Sequence, residues 1–183
     1  MKTINRAYNT QIEVKKSKFL SFLVPINDFN TTHAKLKQEH PKANHIVWAK
    51  RELNEYKQVV ENSSDDGEPK GAAGTPTLNC LRGKKLINCA LLTVRYFGGI
   101  KLGVGGMARA YGEAANAVID IANLEDFLEL IEHSIEISYS NQRELEYKLK
   151  KLEIFDIERE FLNSSVVYKI KTTKEKIQKL NLI

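Results

Sequence analysis

One segment, LINCALLTVRYF at residues 86–97, constrains the fold more than any other part of the chain. It is an almost unbroken apolar run with β-branched and aromatic residues, which is typical of a strand buried on both faces of a sheet. Arg95, near its end, is its one charged residue. A glycine-rich loop follows, and residues 104–122 then place apolar side chains at helical spacing. The pattern predicts a central strand that leads through a glycine loop into a long helix.

The rest of the first 122 residues mixes strands and helices. Apolar segments at residues 19–26 and 45–51 predict two more strands, and residues 28–40 predict a helix stopped by Pro41. Residues 62–74 are dense in Gly, Asp, Ser and Pro and predict a loop. A short helix is expected next, with Thr75 as its cap and Gly83 at its end. We expect an α+β first domain over residues 1–122 that has tight glycine packing in its last helix, at Gly112.

Residues 123–183 predict a second, smaller domain with the order β-α-β-β-α. A strand at residues 127–139 alternates apolar and polar side chains, and Asn141 with Glu144 suits a capping box for the helix that follows. A ferredoxin-type β-α-β sheet has one more strand, and the sequence ends at Ile183 before it. We expect a ferredoxin-like domain that either lacks this strand or has its sheet edge covered by another chain. In the second case the protein would be an oligomer.

The distribution of charge favours an anionic partner for the first domain. Residues 1–120 hold 18 lysines and arginines against 11 acidic residues, whereas residues 121–183 hold 10 against 12. Such a surface suits RNA, a ribosome or a phosphorylated ligand, or it is a solvated basic surface that aids solubility. No apolar run approaches the roughly 20 residues of a membrane helix. Cys80 and Cys89 suit neither a zinc set nor a redox pair, and we expect buried thiols, a cytoplasmic location and no membrane contact.

The first of two segments with candidate site residues is SDDGEPKGAAGTP at residues 64–76, which has three carboxylates within four positions. Like charges this close must face solvent, cations or a metal. They either hold a magnesium-like ion or act as acid and base, or they pair with neighbouring Arg and Lys and stiffen a loop. Glycines and a helix start beside them expose backbone N–H groups. The candidate binding residues here are Asp65, Asp66, Glu68, Lys70, Gly71 and Gly74.

The second segment runs from Arg95 to Tyr111 and carries glycines beside positive charge, the pattern of an anion cradle. Residues 103–108 match G-x-G-x-x-A, but the β-α-β units of a dinucleotide fold do not follow, and a P-loop lysine is missing. His45, at the start of a strand, is either structural or part of the same site. No catalytic triad is recognisable. The candidate binding residues are His45, Arg95, Gly98, Gly99, Lys101, Gly103, Gly105, Gly106 and Arg109.

These motifs resemble the YigZ/IMPACT family in order and spacing over about residues 15–120. The match comprises KSKF at residues 16–19, His45, DDGEP at residues 65–69, GAAG at residues 71–74, RYFGGIKLG at residues 95–103 and the stretch to Tyr111. The resemblance implies an N-terminal fold shared with domain IV of elongation factor G, a ribosomal-protein domain and GHMP kinases. The tail is similar to domain V of that factor, and the pairing implies a link to translation.

The sequence predicts a translation-associated regulatory or binding module that contacts RNA, the ribosome or a partner protein through the two segments joined in one surface. The alternative is an enzyme or binder of a phosphorylated or nucleotide ligand, in which the carboxylates hold a cation and the glycines cradle phosphate. The catalytic residues of such an enzyme are unknown. For the leading function we expect no cofactor and no metal.

Overall fold

A computed structural model of the chain describes residues 1–182. The chain divides into two compact units, residues 1–127 and 128–183, which confirms a two-lobe α+β fold. Each unit has its own sheet and its own hydrophobic core. No helix within residues 1–182 is long and apolar enough to cross a membrane.

The first unit contains, in chain order, β1 (Lys2–Thr3), β2 (Tyr8–Val14), β3 (Ser17–Pro25), α1 (Phe29–Glu39), β4 (His45–Leu53), β5 (Val59–Ser64), α2 (Gly74–Gly83), β6 (Cys89–Tyr96), α3 (Gly103–Asp120) and β7 (Glu125–Asp126). Its main sheet is antiparallel, with five strands in the order β2-β3-β6-β4-β5. The short strands β1 and β7, from the first and last segments of the unit, pair with each other. Helices α2 and α3 pack on one face of the main sheet and α1 packs on the other.

The central position of β6 confirms the prediction from the apolar run, because every residue from Cys89 to Arg95 is buried. Side chains alternate along a strand, so Leu91 enters the core under α2 and α3 while Leu92 enters the core under α1. The strand begins at Cys89 rather than at residue 86. Leu86 and Ile87 are buried too, but their N–H groups bond to the carbonyls of Leu81 and Lys2, outside the main sheet.

Several local features of the first unit differ from the expectations. The strand β2 was not predicted, because it lies at the sheet edge and its exposed positions dilute the apolar signal. The predicted loop at residues 62–74 is shorter, since residues 62–64 complete β5. Thr75 does not cap α2, which begins one residue earlier and has no side-chain bond at its N-cap residue. The unit also extends through Phe127, beyond the predicted boundary at 122, because β7 pairs with β1.

The second unit has the predicted order β-α-β-β-α. Its elements are β8 (Leu130–Ser138), α4 (Gln142–Lys151), β9 (Ile157–Phe161), β10 (Ser165–Thr173) and α5 (Lys174–Leu182). The sheet order is β8-β10-β9, so one edge of β8 has no partner strand within residues 1–182. The predicted capping box is wrong: Asn141 makes no side-chain cap bond, and Glu144 pairs with Lys148 at 2.7 Å. Ile183 lies outside the described residues.

The packing interpretation of Gly112 is wrong. A Cβ atom built on Gly112 meets no atom within 4 Å apart from its own helix and its chain neighbours. Gly98 shows the opposite case, since a Cβ there would lie 2.0 Å from the carbonyl carbon of Lys16. A real Cβ atom cannot approach backbone that closely, so the chain needs glycine at position 98 and does not need it at position 112.

We therefore expect Gly112→Ala to raise the free energy of unfolding by about 0.5–1 kcal/mol, because alanine removes the entropic cost of glycine inside a helix. Urea denaturation measures this difference. Gly98→Ala is the matched substitution and lowers stability. Equal effects of the two substitutions would contradict the packing described for them.

Candidate functional site

Two loops of the first unit meet at a buried ion pair. We call residues 65–73, between β5 and α2, the acidic loop, and residues 97–102, between β6 and α3, the glycine loop. Arg95, at the end of β6, donates from Nη1 to Oε1 of Glu68 in the acidic loop at 2.5 Å. The hydroxyl of Tyr111, in α3, donates to the same oxygen at 2.9 Å. Three elements that are distant in sequence therefore converge on one carboxylate.

The Glu68–Arg95 pair is almost fully enclosed, with residue exposures of 7% and 5%. The guanidinium also lies over two aromatic rings, 5.6 Å from the centroid of Phe19 and 5.8 Å from that of Phe97. Removing two charges from water costs several kcal/mol per ion, which only close pairing with further hydrogen bonds offsets. Nε of Arg95 is buried and has no hydrogen-bond partner among the described residues.

Tyr111 stays protonated next to this carboxylate. Burial of the phenol raises its pKa above the ordinary value, and the neighbouring Glu68 charge raises it further. A phenol held in this form is an O–H donor, as the contact with Glu68 requires. Sequence reasoning did not single out Tyr111 as a site residue; its position four residues after Met107, on the apolar stripe of α3, indicated only a core role.

Asp65 shapes the acidic loop from within. Its two carboxylate oxygens accept the N–H groups of Gly71 at 2.8 Å, Ala73 at 3.0 Å and Gly74 at 2.8 Å. Partial burial alone raises the pKa of this carboxyl, but the three N–H donors outweigh that effect and hold it below the ordinary value of 3.8. Asp65 thus takes the place at the start of α2 that was predicted for Thr75.

Asp66 and His45 form the second connection between the acidic loop and the sheet. Oδ2 of Asp66 accepts the N–H of Ile46 at 2.6 Å, and the Asp66 carbonyl oxygen lies 2.7 Å from Nδ1 of His45. A carbonyl can only accept, so Nδ1 carries a proton. Nε2 of His45 is then directed elsewhere, and it lies 3.7 Å from Oε2 of Glu68. Gly67, at φ +87°, places its Cα hydrogens against this ring, where a Cβ would lie 3.4 Å from Nδ1.

A pocket of about 340 Å³ opens beside the ion pair. The sheet contributes His45 and Arg95, the acidic loop contributes Pro69, and the remaining walls come from the glycine loop and α3. The first turn of α3 borders the pocket, and no side chain caps its backbone N–H groups. The other lining residues are Asn44, Phe97, Lys101, Leu102, Gly103, Val104 and Met107.

The candidate residues from the sequence separate into two groups. His45, Arg95, Lys101 and Gly103 line the pocket, with Glu68 enclosed behind its wall. The others surround it: Asp65, Gly71 and Gly74 build the start of α2, Gly98 packs on the Lys16 backbone, and Gly105 lies near Arg109. The candidates outside the pocket lining are Asp65, Asp66, Lys70, Gly71, Gly74, Gly98, Gly99, Gly105, Gly106 and Arg109.

The geometry favours the loop-stiffening interpretation of the carboxylates over the cation-holding one. Asp65 and Asp66 accept backbone N–H groups, and Glu68 accepts from Arg95 and Tyr111. Within residues 1–182, no three His, Cys, Asp or Glu side chains are grouped so that they could hold a metal ion. Phe97 is a pocket residue that sequence reasoning missed, although an aromatic residue directly before the Gly98-Gly99 pair was a usable signal; the residue is 47% exposed.

Comparisons with known proteins agree with the resemblance found in the sequence. Residues 15–119 match the family model of the Impact N-terminal domain. A protein of Haemophilus influenzae described as an IMPACT family member is 35% identical over 145 residues, covering 78% of this chain and 70% of the relative. The Escherichia coli IMPACT family member YigZ is 33% identical over 132 residues, covering 69% of this chain and 64% of the relative.

A crystal structure of a protein described as hypothetical is also similar to this chain. It aligns with a TM-score of 0.67 at 26% sequence identity. The alignment covers 98% of this chain and 88% of that one, so the likeness includes both units.

We predict that Glu68→Gln lowers the free energy of unfolding by about 3–5 kcal/mol, because it leaves the Arg95 guanidinium buried without a counter-charge. Tyr111→Phe removes one hydrogen bond to a charged acceptor and costs about 1–3 kcal/mol. Chemical denaturation measures both differences. Glu113→Gln, on the exposed side of α3, is the control and stays within about 0.5 kcal/mol of the parent chain. A Glu68 variant as stable as this control would show that the pair does not hold the loops.

We also predict an acid-dependent contribution from Asp65. Since its folded pKa is lowered, the contribution is fully present above the unfolded value near 3.8 and is lost as the pH falls through the folded pKa. Unfolding of the parent chain and of Asp65→Asn is compared between pH 7 and pH 2. The stability difference stays constant at the upper end and shrinks below 3.8. A difference that is constant over the whole range would contradict the role given to these three N–H bonds.

Proposed function

The chain belongs to the IMPACT family, and on that premise we propose that it is a translation-associated module that binds RNA through the surface around the pocket. The link to translation comes from the family resemblance, which implies a first domain like domain IV of elongation factor G and a second domain like its domain V. A cytoplasmic location is part of the proposal, because RNA and ribosomes lie there and both thiols, Cys80 and Cys89, are free.

The observation that carries the proposal is a group of exposed cations beside the pocket that make no ion pair within residues 1–182. Lys15 and Lys16 form the tight turn between β2 and β3. The backbone of Lys16 contacts Gly98, which brings this turn against the glycine loop. Lys101 lies in that loop and Arg109 on α3. Cations without acidic partners are available to neutralise phosphates.

The start of α3 supports the same ligand chemistry. Its first N–H groups have no side-chain cap, and its first turn has no acidic residue. An 18-residue helix presents partial positive charge at this end, which attracts an anion. The short stretch from Lys101 to Gly103 joins a cation to these N–H groups at one edge of the pocket.

A second function has a specific observation in its favour. The uncapped helix start and His45 border a pocket of ligand size, which suits a small phosphorylated or nucleotide ligand. The carboxylates do not add a cation site to this alternative, because their oxygens bind N–H groups and Arg95. A thermal-shift series with nucleotides discriminates: a small ligand that binds the native state raises Tm by mass action. If the site serves a partner protein instead, neither RNA nor nucleotides bind.

The proposal is tested by RNA binding in fluorescence anisotropy from low to high salt. We expect affinity to fall steeply with salt, and the double variant Lys16→Ala with Lys101→Ala to reduce the log–log slope by about 0.7 for each phosphate contact removed. The matched control is Lys37→Ala with Lys85→Ala, which removes the same charge from exposed positions away from the pocket. Lys85 and Lys16 both have a positive φ, 54° and 64° respectively. Each double variant therefore replaces one lysine of positive φ by alanine, and the backbone strain of the two variants is matched. Absence of binding at low salt, or equal slopes for both double variants, would refute the proposal.

A further inference from the structure

The pocket beside the ion pair combines an apolar wall with an exposed aromatic ring. Phe97 is 47% exposed and Val104 is 61% exposed, although both are large apolar side chains on the rim. Leu102 and Met107 line the same cavity. Base faces stack on aromatic rings of this kind in proteins that bind single-stranded nucleic acid. The wall therefore suits a flat, largely apolar group.

Polar groups on the pocket wall suit the edge of such a flat group. Arg95 is only 5% exposed, and its Nε has no hydrogen-bond partner among the described residues. A buried donor without a partner costs free energy unless a ligand or water satisfies it. His45 also lines the pocket; its Nδ1 is held by the Asp66 carbonyl, and its Nε2 lies 3.7 Å from Oε2 of Glu68. The carbonyl oxygens and unprotonated ring nitrogens of a nucleobase edge can accept from the Arg95 guanidinium where it lines the pocket.

Anion-binding groups border the same pocket. Gly103 and Val104 begin α3 there, and Lys101 precedes them. A ligand that fills the pocket thus meets an apolar and aromatic wall, the polar side chains of Arg95 and His45, and a phosphate site at the start of α3. The volume, about 340 Å³, is within the range of roughly 300–1,000 Å³ typical of small-ligand pockets. A single nucleotide has this combination of a flat base and an adjoining phosphate.

Resting on the RNA-binding function proposed above, we infer that this pocket holds one unpaired nucleotide of the RNA chain, with its base on Phe97 and its phosphate at the start of α3. Lys15, Lys16 and Lys101 then take the phosphates of neighbouring nucleotides. A base inside a duplex is stacked on both faces and paired along its Watson–Crick edge, so it cannot enter the pocket. The chain therefore recognises single-stranded segments or loops.

The experiment compares a 12-nucleotide single strand, the same strand in a duplex, and a mononucleotide, by anisotropy and competition at one salt concentration. We expect the single strand to bind at least about fivefold more tightly than the duplex. This factor is the lower end of the range for one base stacked on an aromatic side chain. Phe97→Ala removes this preference, so that the variant binds single strand and duplex with equal affinity. Phe97→Trp retains it and excludes misfolding as the cause. Tyr56→Ala, at a 74% exposed aromatic in the β4–β5 turn, is the matched control and changes neither affinity.

Equal affinity for single strand and duplex, or an unchanged preference in Phe97→Ala, overturns the inference while RNA binding itself stands. A mononucleotide that binds as tightly as the strand also overturns it, because the pocket would then take a free nucleotide. Absence of all RNA binding at low salt is the separate failure of the proposed function. Loss of preference in Phe97→Ala but not in Phe97→Trp supports the inference.

Discussion

The buried ion pair between Glu68 and Arg95 is the interaction on which the rest of the site depends. It ties the acidic loop to the end of the central strand, and Tyr111 extends the tie to α3. These three elements form the walls of the pocket or support them. Because the pair is almost fully buried, its loss leaves an unpaired charge in the interior, and the loops lose their common anchor. This one contact therefore holds the walls of the pocket in place before any ligand binds.

Stability alone does not account for a buried ion pair, since apolar residues of similar volume often stabilise a protein equally well. Its effect here is positional: Arg95 is held at the pocket wall by Glu68 and by the rings of Phe19 and Phe97. The acidic loop serves the same end. Asp65 accepts backbone N–H groups at the start of α2, Asp66 accepts one from β4, and a turn of positive φ at Asp66 and Gly67 directs Glu68 inward. Three adjacent carboxylates are tolerated because each has its own donors.

The sequence allowed the large elements to be predicted, and the limits of prediction have physical causes. Burial on both faces leaves a continuous apolar run, so β6 was recognisable, whereas the edge strand β2 carries polar residues on its exposed side. The two loops were singled out correctly as neighbours in space, but the partners of their carboxylates were not foreseeable. Asp66 bonds to Ile46, twenty residues earlier, through a contact that only the tertiary fold creates. Gly112 shows that a small residue in a helix need not mark close packing.

The central claim is that two loops held by one ion pair form a single RNA-binding site. Backbone amide NMR tests it most directly, with a titration of the full chain by a short single-stranded RNA. The account predicts that amide signals from the acidic loop and from residues 97–106 shift together and yield one dissociation constant, with Phe97 and Gly103 among the largest changes. Shifts confined to one loop, different dissociation constants for the two loops, or shifts centred in residues 128–182 would contradict it.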